Sequence, residues 1–479
     1  MWVDGKFIET SNSLAVAHKY DMGSLVPGKH TVAIRVDNRL VIDLNANSHC
    51  IGDHTQGNWN GIVGRIEVRA TPQVWIEEVQ VYPHVANKSV TVRTRIGNAT
   101  GRPGRGVLQV GTKRKDVSWG AGGGVAEIRF ELGAAAKLWD EFSPNLQELT
   151  FTLLPEQAKS TSRRVRFGLR EISTVGTQFL INGRKTLLRG TLECCIFPKT
   201  VHPLLKTGEW KRIIHVAKAH GLNPFRFHSY CPPEAAFAAA DELGMYFRVE
   251  TGGAEVGDDK PVDQWIYDET DRILKTYGNH PSFLLMTYGN EPGGKKAGAF
   301  FAKYVEHCKT LDPRRLFSSA SEWPEIPENQ FHVSYGNPPI RIQAWGGGLG
   351  SRINARPPET TTDYRNFIVQ RSVPVITHEM GQRCVYPNFQ EIPKYTGYLK
   401  PKNFEIFRDF LEEHGMGALA KPFLLASGKL QVLCYKEDIE SSLRTEGMGG
   451  FELLDLHDFP GQGTASIGVL DPFWSPKAT

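Results

Sequence analysis

No run of apolar residues approaches the roughly 18–20 that a bilayer-spanning helix needs, so no membrane segment is expected. Charge of one sign is equally scarce. The net charge is +4 over 479 residues and no stretch forms a basic tail or stripe, which argues against nucleic acid as a partner. The seven cysteines (Cys50, Cys194, Cys195, Cys231, Cys308, Cys384 and Cys434) are odd in number and never spaced as Cys-x-x-Cys. Buried thiols are therefore expected, rather than a disulfide framework or a zinc site. Without HExxH or a His-x-His pair, a catalytic metal is not expected either. No G-x-G-x-x-G follows any apolar run, which sets aside a dinucleotide-dependent oxidoreductase. The opening Met1-Trp2-Val3-Asp4-Gly5-Lys6 lacks the basic and apolar regions of a signal peptide.

What is present has the balance of a globular chain, 40% hydrophobic and 23% charged, and its length suits two to four domains. Residues 1–174 are dominated by short period-2 runs bounded by Gly, Pro and Asn, which read as strands. Thr31–Asn38, Gly61–Val68, Val74–Val81 and Ser89–Ile96 are the clearest. A break at Ala70-Thr71-Pro72 divides an incomplete β-sandwich over residues 1–70 from an immunoglobulin-like β-sandwich over 71–174.

From Gln178 the rhythm changes to strand, helix, strand, helix. A hairpin over Phe179–Gly183 and Thr186–Gly190 feeds a first strand. Helices are expected at 210–220, 233–243, 265–277 and 297–310, the first two closed by Gly221 and Gly244. Strands are expected at 224–227, 245–249, 283–288, 316–319, 373–378 and 450–454. Alternating βα units over residues 175–479 fit a (β/α)₈ TIM barrel better than a doubly wound sheet, which lacks its glycine loop here.

In such a barrel the chemistry sits on the loops after the strands. Glu291 follows the apolar strand 283–288 in Tyr288-Gly289-Asn290-Glu291-Pro292, and Glu379 follows another in Thr377-His378-Glu379-Met380. A carboxylate at the end of a buried strand is costly unless used. Two of them on one rim fit glycoside cleavage, where one carboxyl donates a proton to the leaving oxygen and the other attacks the anomeric carbon. Asn290 suits a hydrogen bond to the sugar 2-OH. Each glutamate taken alone is more simply a solvated residue opening a loop.

These residues resemble family 2 of the glycoside hydrolases, the β-galactosidases, β-glucuronidases and β-mannosidases, in the family's domain order. Residues 2–68, with Gln56-Gly57-Asn58-Trp59-Asn60-Gly61-Ile62, resemble the later part of its N-terminal sugar-binding sandwich, and 72–174 its immunoglobulin-like domain. Leu180–Gly190, Asn223-Pro224-Phe225-Arg226 with His228, Asn290-Glu291-Pro292 and His378-Glu379 resemble its barrel motifs. The resemblance implies a retaining, exo-acting enzyme on terminal β-linked sugars, with Glu291 as acid/base, Glu379 as nucleophile and no cofactor. A β-galactoside is the favoured substrate, with a β-glucuronide or β-mannoside as alternatives. Three departures bear on the sugar. Thr191–Phe197 replaces a His- and acid-rich segment, Leu453-Leu454-Asp455 stands where a Trp is usual, and no uronate-reading Asn-x-Lys occurs near 455–475. By the same resemblance the chain starts midway through the first sandwich and stops where the eighth helix is due. Apolar surface and strand edges are then exposed, and the alternative is a catalytically impaired or carbohydrate-binding fragment.

Other residues have two readings each. His228 touches substrate or makes a structural hydrogen bond. Tyr335 donates to the nucleophile as the family's tyrosines do, or packs at the rim. Trp345, in a loop beside Gly346-Gly347-Gly348, stacks on a sugar or caps the barrel. Arg189 and Arg226 orient the catalytic glutamates or form ion pairs inside the barrel, and His378 belongs to the substrate-binding set through its motif. A glycoside is the expected partner, a homo-oligomer is compatible with the sequence, and the resemblance is compatible with a periplasmic or secreted parent.

Overall fold

The strand Phe283–Gly289 is buried along its whole length, as a strand covered on both faces must be. It is one of eight that form a nearly closed parallel barrel in the computed structural model, which describes residues 1–45, 48–49, 51, 59, 61–258, 260–343, 347–458 and 466–477. The strands are Leu188–Glu193 (β1), Pro224–Phe227 (β2), Tyr246–Gly252 (β3), Phe283–Gly289 (β4), Leu316–Ser318 (β5), His332–Ser334 (β6), Val375–Met380 (β7) and Gly450–Leu453 (β8). Consecutive strands pair in parallel and β8 returns to β1. Between β5 and β6 the ladder is reduced to one bridge, Ser321 to Val333. Helices α1 (Thr207–Ala219), α2 (Glu234–Leu243), α3 (Pro261–Tyr277) and α4 (Ala297–Leu311) follow the first four strands. Two four-residue helices, α5 (Arg352–Ala355) and α6 (Arg365–Ile368), lie between β6 and β7. α7 (Lys402–Glu413) and α8 (Ala420–Arg444) separate β7 from β8.

The expected strands and helices of the barrel are present within a few residues, and α2 ends at Gly244 in the left-handed region, φ 70°. β6, α7 and α8 are additional to the expectation. Close approach explains Gly289: a Cβ there would stand 1.8 Å from the Gly252 carbonyl oxygen, so only glycine lets β3 and β4 converge just below Asn290 and Glu291.

Residues 74–168 form an antiparallel sandwich of a three-stranded and a four-stranded sheet around one apolar core. Residues 1–70 correct the expectation. Thr31–Asn38 contributes only Val32–Ala33, and Gly61–Val68 forms no strand. Val32, Ile34, Val36, Ile62, Val63, Ile66 and Val68 are exposed. Period-2 alternation makes a strand only when a second layer covers the apolar face, and none of the described residues supplies one here. The quoted segment Gln56–Asn60 lies, apart from Trp59, outside the described residues. Part of this region instead clasps α3. The Glu269 carboxylate accepts from Ser13 Oγ and from the Leu14 and Ala15 amides, each at 2.8 Å, and Trp265 Nε1 donates to the Asn12 carbonyl.

Candidate active site

Both glutamates singled out in the sequence stand at the C-terminal rim. Glu379 is the penultimate residue of β7 and Glu291 lies two residues beyond β4. Each has a positive φ, 48° and 40°, a strained conformation for a side chain and one that persists only where surrounding structure enforces it. A carboxylate oxygen of Glu291, one of Glu379 and a ring nitrogen of His378 lie within 4.8 Å of one another.

Beneath Glu379 is a buried charge network. Arg226, from β2, donates through Nη1 to Glu379 Oε1 at 3.0 Å, through Nε to Glu250 Oε1 at 2.8 Å and through Nη2 to Asn290 Oδ1 at 2.5 Å. Arg248, from β3, pairs with both oxygens of Glu452 on β8, at 2.9 and 2.6 Å, and donates to Glu250 Oε1 at 3.1 Å. Burial alone would raise the Glu250 pKa, but the two guanidiniums outweigh it and hold the carboxyl at about 2. Two cations thus face three carboxylates, which gives each buried charge a partner.

Two imidazoles line the same space. His378 is 1% exposed, with Nε2 3.3 Å from Glu291 Oε1, 3.5 Å from Glu322 Oε2 and 3.6 Å from Glu379 Oε1. Burial drives its pKa down to about 3, so the ring is neutral near pH 7. His228, whose Nε2 is 3.7 Å from Glu379 Oε1, is likewise held well below its ordinary value by burial, and it stacks on His49 at 3.7 Å between centroids. The Arg341 guanidinium donates to the Glu379 carbonyl at 2.8 Å and lies over the Tyr335 ring at 4.4 Å.

A model of the family described as glycosyl hydrolases family 2, TIM barrel domain, matches residues 172–333. Residues 172–333, which hold the first five barrel strands, most of the sixth and Glu291, are the part similar to a family 2 glycosyl hydrolase barrel. Among curated proteins the chain is similar to a putative beta-glucuronidase of Formosa agariphila, 24% identical over 68% of this chain and 31% of that protein. It is also similar to a beta-galactosidase of an Arthrobacter species, 24% identical over 61% of this chain and 28% of that one. The chain therefore spans about a third of the length of these relatives. Among solved structures, the family 2 beta-galacturonidase of Eisenbergiella tayi bound to galacturonate superposes with a TM-score of 0.71 at 17% identity, covering 99% of this chain and 82% of that one. A beta-glucuronidase of Ruminococcus gnavus gives 0.63 at 17% identity, over 85% and 67%.

The remaining expectations sort by their position in the barrel. Arg226, His228, Asn290, Glu291, His378 and Glu379 converge. Arg189 does not: as the second residue of β1 it lies at the opposite end of the barrel, bound to Glu141 at 3.0 Å and to the Gly221 carbonyl at 2.7 Å. A side chain at a strand's N-terminal end faces the barrel base. No hydrogen bond joins the Tyr335 hydroxyl to Glu379; the Tyr335 ring instead lies under the Arg341 guanidinium, which donates to the Glu379 carbonyl. Trp345 lies outside the described residues. Glu322, Glu250, Arg248, Glu452, Arg341 and His49 join the site without having been expected. Glu250 satisfies the same strand-end rule that marks Glu291, since it follows Met245–Val249 directly; Glu322 is separated from Leu316-Phe317 by Ser318-Ser319-Ala320-Ser321, and His49 carries no such signal.

Proposed function

We propose that the chain is the catalytic part of a retaining β-glycosidase. In this reading Glu291 protonates the glycosidic oxygen, the Glu379 carboxylate attacks the anomeric carbon to form a glycosyl-enzyme, and Glu291 then takes a proton from the water that releases the sugar. The observation that carries it is the spacing of the two carboxylates, with oxygens within 4.8 Å. A retaining pair stands about 5–5.5 Å apart, whereas an inverting pair needs roughly 6.5–9.5 Å to admit a water between acid and sugar. Arg226 fixes one Glu379 oxygen and, by occupying Asn290 Oδ1, leaves the Asn290 NH₂ to meet the sugar 2-OH.

A neutral β-galactoside is the favoured substrate. The arginines at the centre are already engaged, Arg226 and Arg248 by Glu250, Glu379 and Glu452, and Arg341 by backbone carbonyls. A uronate carboxylate would need a cation of its own. The second reading, a catalytically impaired or carbohydrate-binding fragment, rests on the short span relative to the relatives.

A panel of 4-nitrophenyl β-glycosides (galactoside, glucuronide, galacturonide, mannoside and glucoside) reads the sugar, with the galactoside expected to turn over fastest. A cyclitol aziridine probe separates the two readings, because only a working nucleophile is labelled. The expected product is one adduct on Glu379 that disappears in Glu379→Gln. Labelling elsewhere, or undiminished hydrolysis by Glu379→Gln, refutes the assignment.

A further inference from the structure

The loop after β5 carries Trp323, which alone among the described tryptophans is exposed, at 45%. An isolated exposed apolar side chain is ordinary; this one is set apart by how firmly it is mounted and beside what. Its indole Nε1 donates to the Pro292 carbonyl at 2.8 Å, one residue beyond Glu291. On one flank, Ser321 bridges to Asn290 after β4 and to Val333 on β6, and the Glu291 amide donates to the Ser321 carbonyl at 2.9 Å. On the other flank, the Pro324 carbonyl accepts from Ser319 Oγ at 2.5 Å. Glu325 accepts from Ser334 Oγ at 2.7 Å and pairs with Arg371 at 3.0 Å. With the indole N–H engaged and both flanks tied down, what Trp323 still offers is a rigid apolar ring.

Its place relative to the two carboxylates says what that ring meets. Exposure rises across the site, from 9% for the Glu379 side chain to 33% for that of Glu291, and Trp323 stands at the open end. The charge network beneath Glu379 comes from β2, β3, β7 and β8 through Arg226, Arg248, Glu250, Glu379 and Glu452, and β5 adds nothing to it. A pyranose whose anomeric carbon meets Glu379 has its glycosidic oxygen at Glu291, so the group carried by that oxygen extends past Glu291 toward solvent. We propose that Trp323 is the platform for this leaving group and selects β-glycosides whose aglycone is a ring with an apolar face, a second sugar or an aryl group. The inference rests on the acid/base role proposed for Glu291.

Trp323→Ala removes the ring, and Trp323→Phe keeps one without the indole N–H. For the panel sugar that the wild-type chain turns over best, Trp323→Ala is expected to lower kcat/KM about tenfold on the 4-nitrophenyl glycoside and on a disaccharide ending in that sugar. The methyl glycoside should be unaffected, and Trp323→Phe should recover most of the loss. A loss on the aryl substrate alone identifies an aryl leaving group, and a loss on the disaccharide alone identifies a sugar. An equal loss on the methyl glycoside means that Trp323 only steadies Glu291 through the Pro292 carbonyl, and the proposal falls. ¹⁹F NMR of protein labelled with 5-fluorotryptophan reads the contact without turnover, the resonance missing from Trp323→Phe being that of Trp323. It should shift with the phenyl 1-thio-β-glycoside, and not with the methyl one, of at least one of the five panel sugars; a resonance indifferent to all five phenyl compounds overturns the proposal. Azide rescue of Glu291→Ala, forming a β-glycosyl azide, tests the acid/base reading separately: its absence removes that reading while the resonance still decides whether Trp323 meets a ring.

Discussion

Arg226 is the residue on which the site's geometry turns. Its side chain is wholly buried and its three donor nitrogens engage Glu250, Glu379 and Asn290 at once. A lysine carries the same charge but a single ammonium on a flexible stem, so it cannot hold three partners in one plane. Arg226→Lys is expected to lower kcat/KM by roughly a hundredfold through misplacement of the Glu379 carboxylate. Arg226→Met is expected to destabilise the fold by about 3–5 kcal/mol, because it strands buried carboxylates. Steady-state kinetics and urea unfolding check the two. Kinetics unchanged in the lysine variant would mean that Glu379 is positioned without the fork. At this scale the sequence is legible wherever a charged residue follows an apolar strand. Glu291 and Glu379 stand out that way and Glu250 does too, directly after Met245–Val249, whereas Ser318-Ser319-Ala320-Ser321 separates Glu322 from the apolar Leu316-Phe317. Arg248 and Glu452 are harder to see, since they sit inside strands whose neighbours are apolar, and period-2 alternation alone does not say that the inward face carries charge.

The elements differ in how much they reveal. β4 and α3 are legible because burial follows their pattern: all of β4 is buried, and α3 buries Val262, Trp265, Ile266, Glu269, Ile273, Leu274 and Tyr277 at helical spacing. α8 is not, because it buries Leu424, Cys434 and Tyr435 while Leu425, Leu430, Val432, Leu433 and Leu443 are exposed, so its apolar residues define no single face. β6 has three residues, too few for a pattern. The end of β1 carries a testable feature. Glu193 is fully buried, accepts from the Cys195 and Ile196 amides at 3.2 and 3.0 Å, and is pushed by burial to about 8. The unfolded chain has this carboxyl at about 4.3. Between those two pH values the folded state holds the extra proton, so stability falls as pH rises from about 4.3 to about 8. Glu391, also at about 8, acts in the same direction. The melting temperature of Glu193→Gln is therefore expected to depend less on pH between 5 and 8 than that of the wild type, and parallel curves would show that Glu193 is ionised in the fold.

Across the whole molecule, the sandwich and the barrel share a core. Trp139, from the sandwich side, is completely buried in one apolar cluster with Phe179, Ile181, Leu188, Tyr246, Leu284, Leu316 and Val333, at the base of the barrel. Its indole donates to the Asp241 carbonyl at 2.8 Å, where α2 ends, and Lys218 and Arg170 add bonds across the same boundary. This junction was not legible beforehand, because a tryptophan between two domains has no periodic partner in the sequence. Residues 1–70 show the converse, where local alternation is clear and the covering layer that would turn it into sheet is absent among the described residues. A shared core predicts joint melting. Trp139→Ala removes a large side chain from packing on both sides and should cost about 3–5 kcal/mol. Because the cluster belongs to both units, calorimetry is expected to show the sandwich and barrel still unfolding in one transition, moved to lower temperature. Two separated transitions in the wild type, or a Trp139→Ala protein in which only the sandwich melts earlier, would mean that each unit is stabilised by its own core alone.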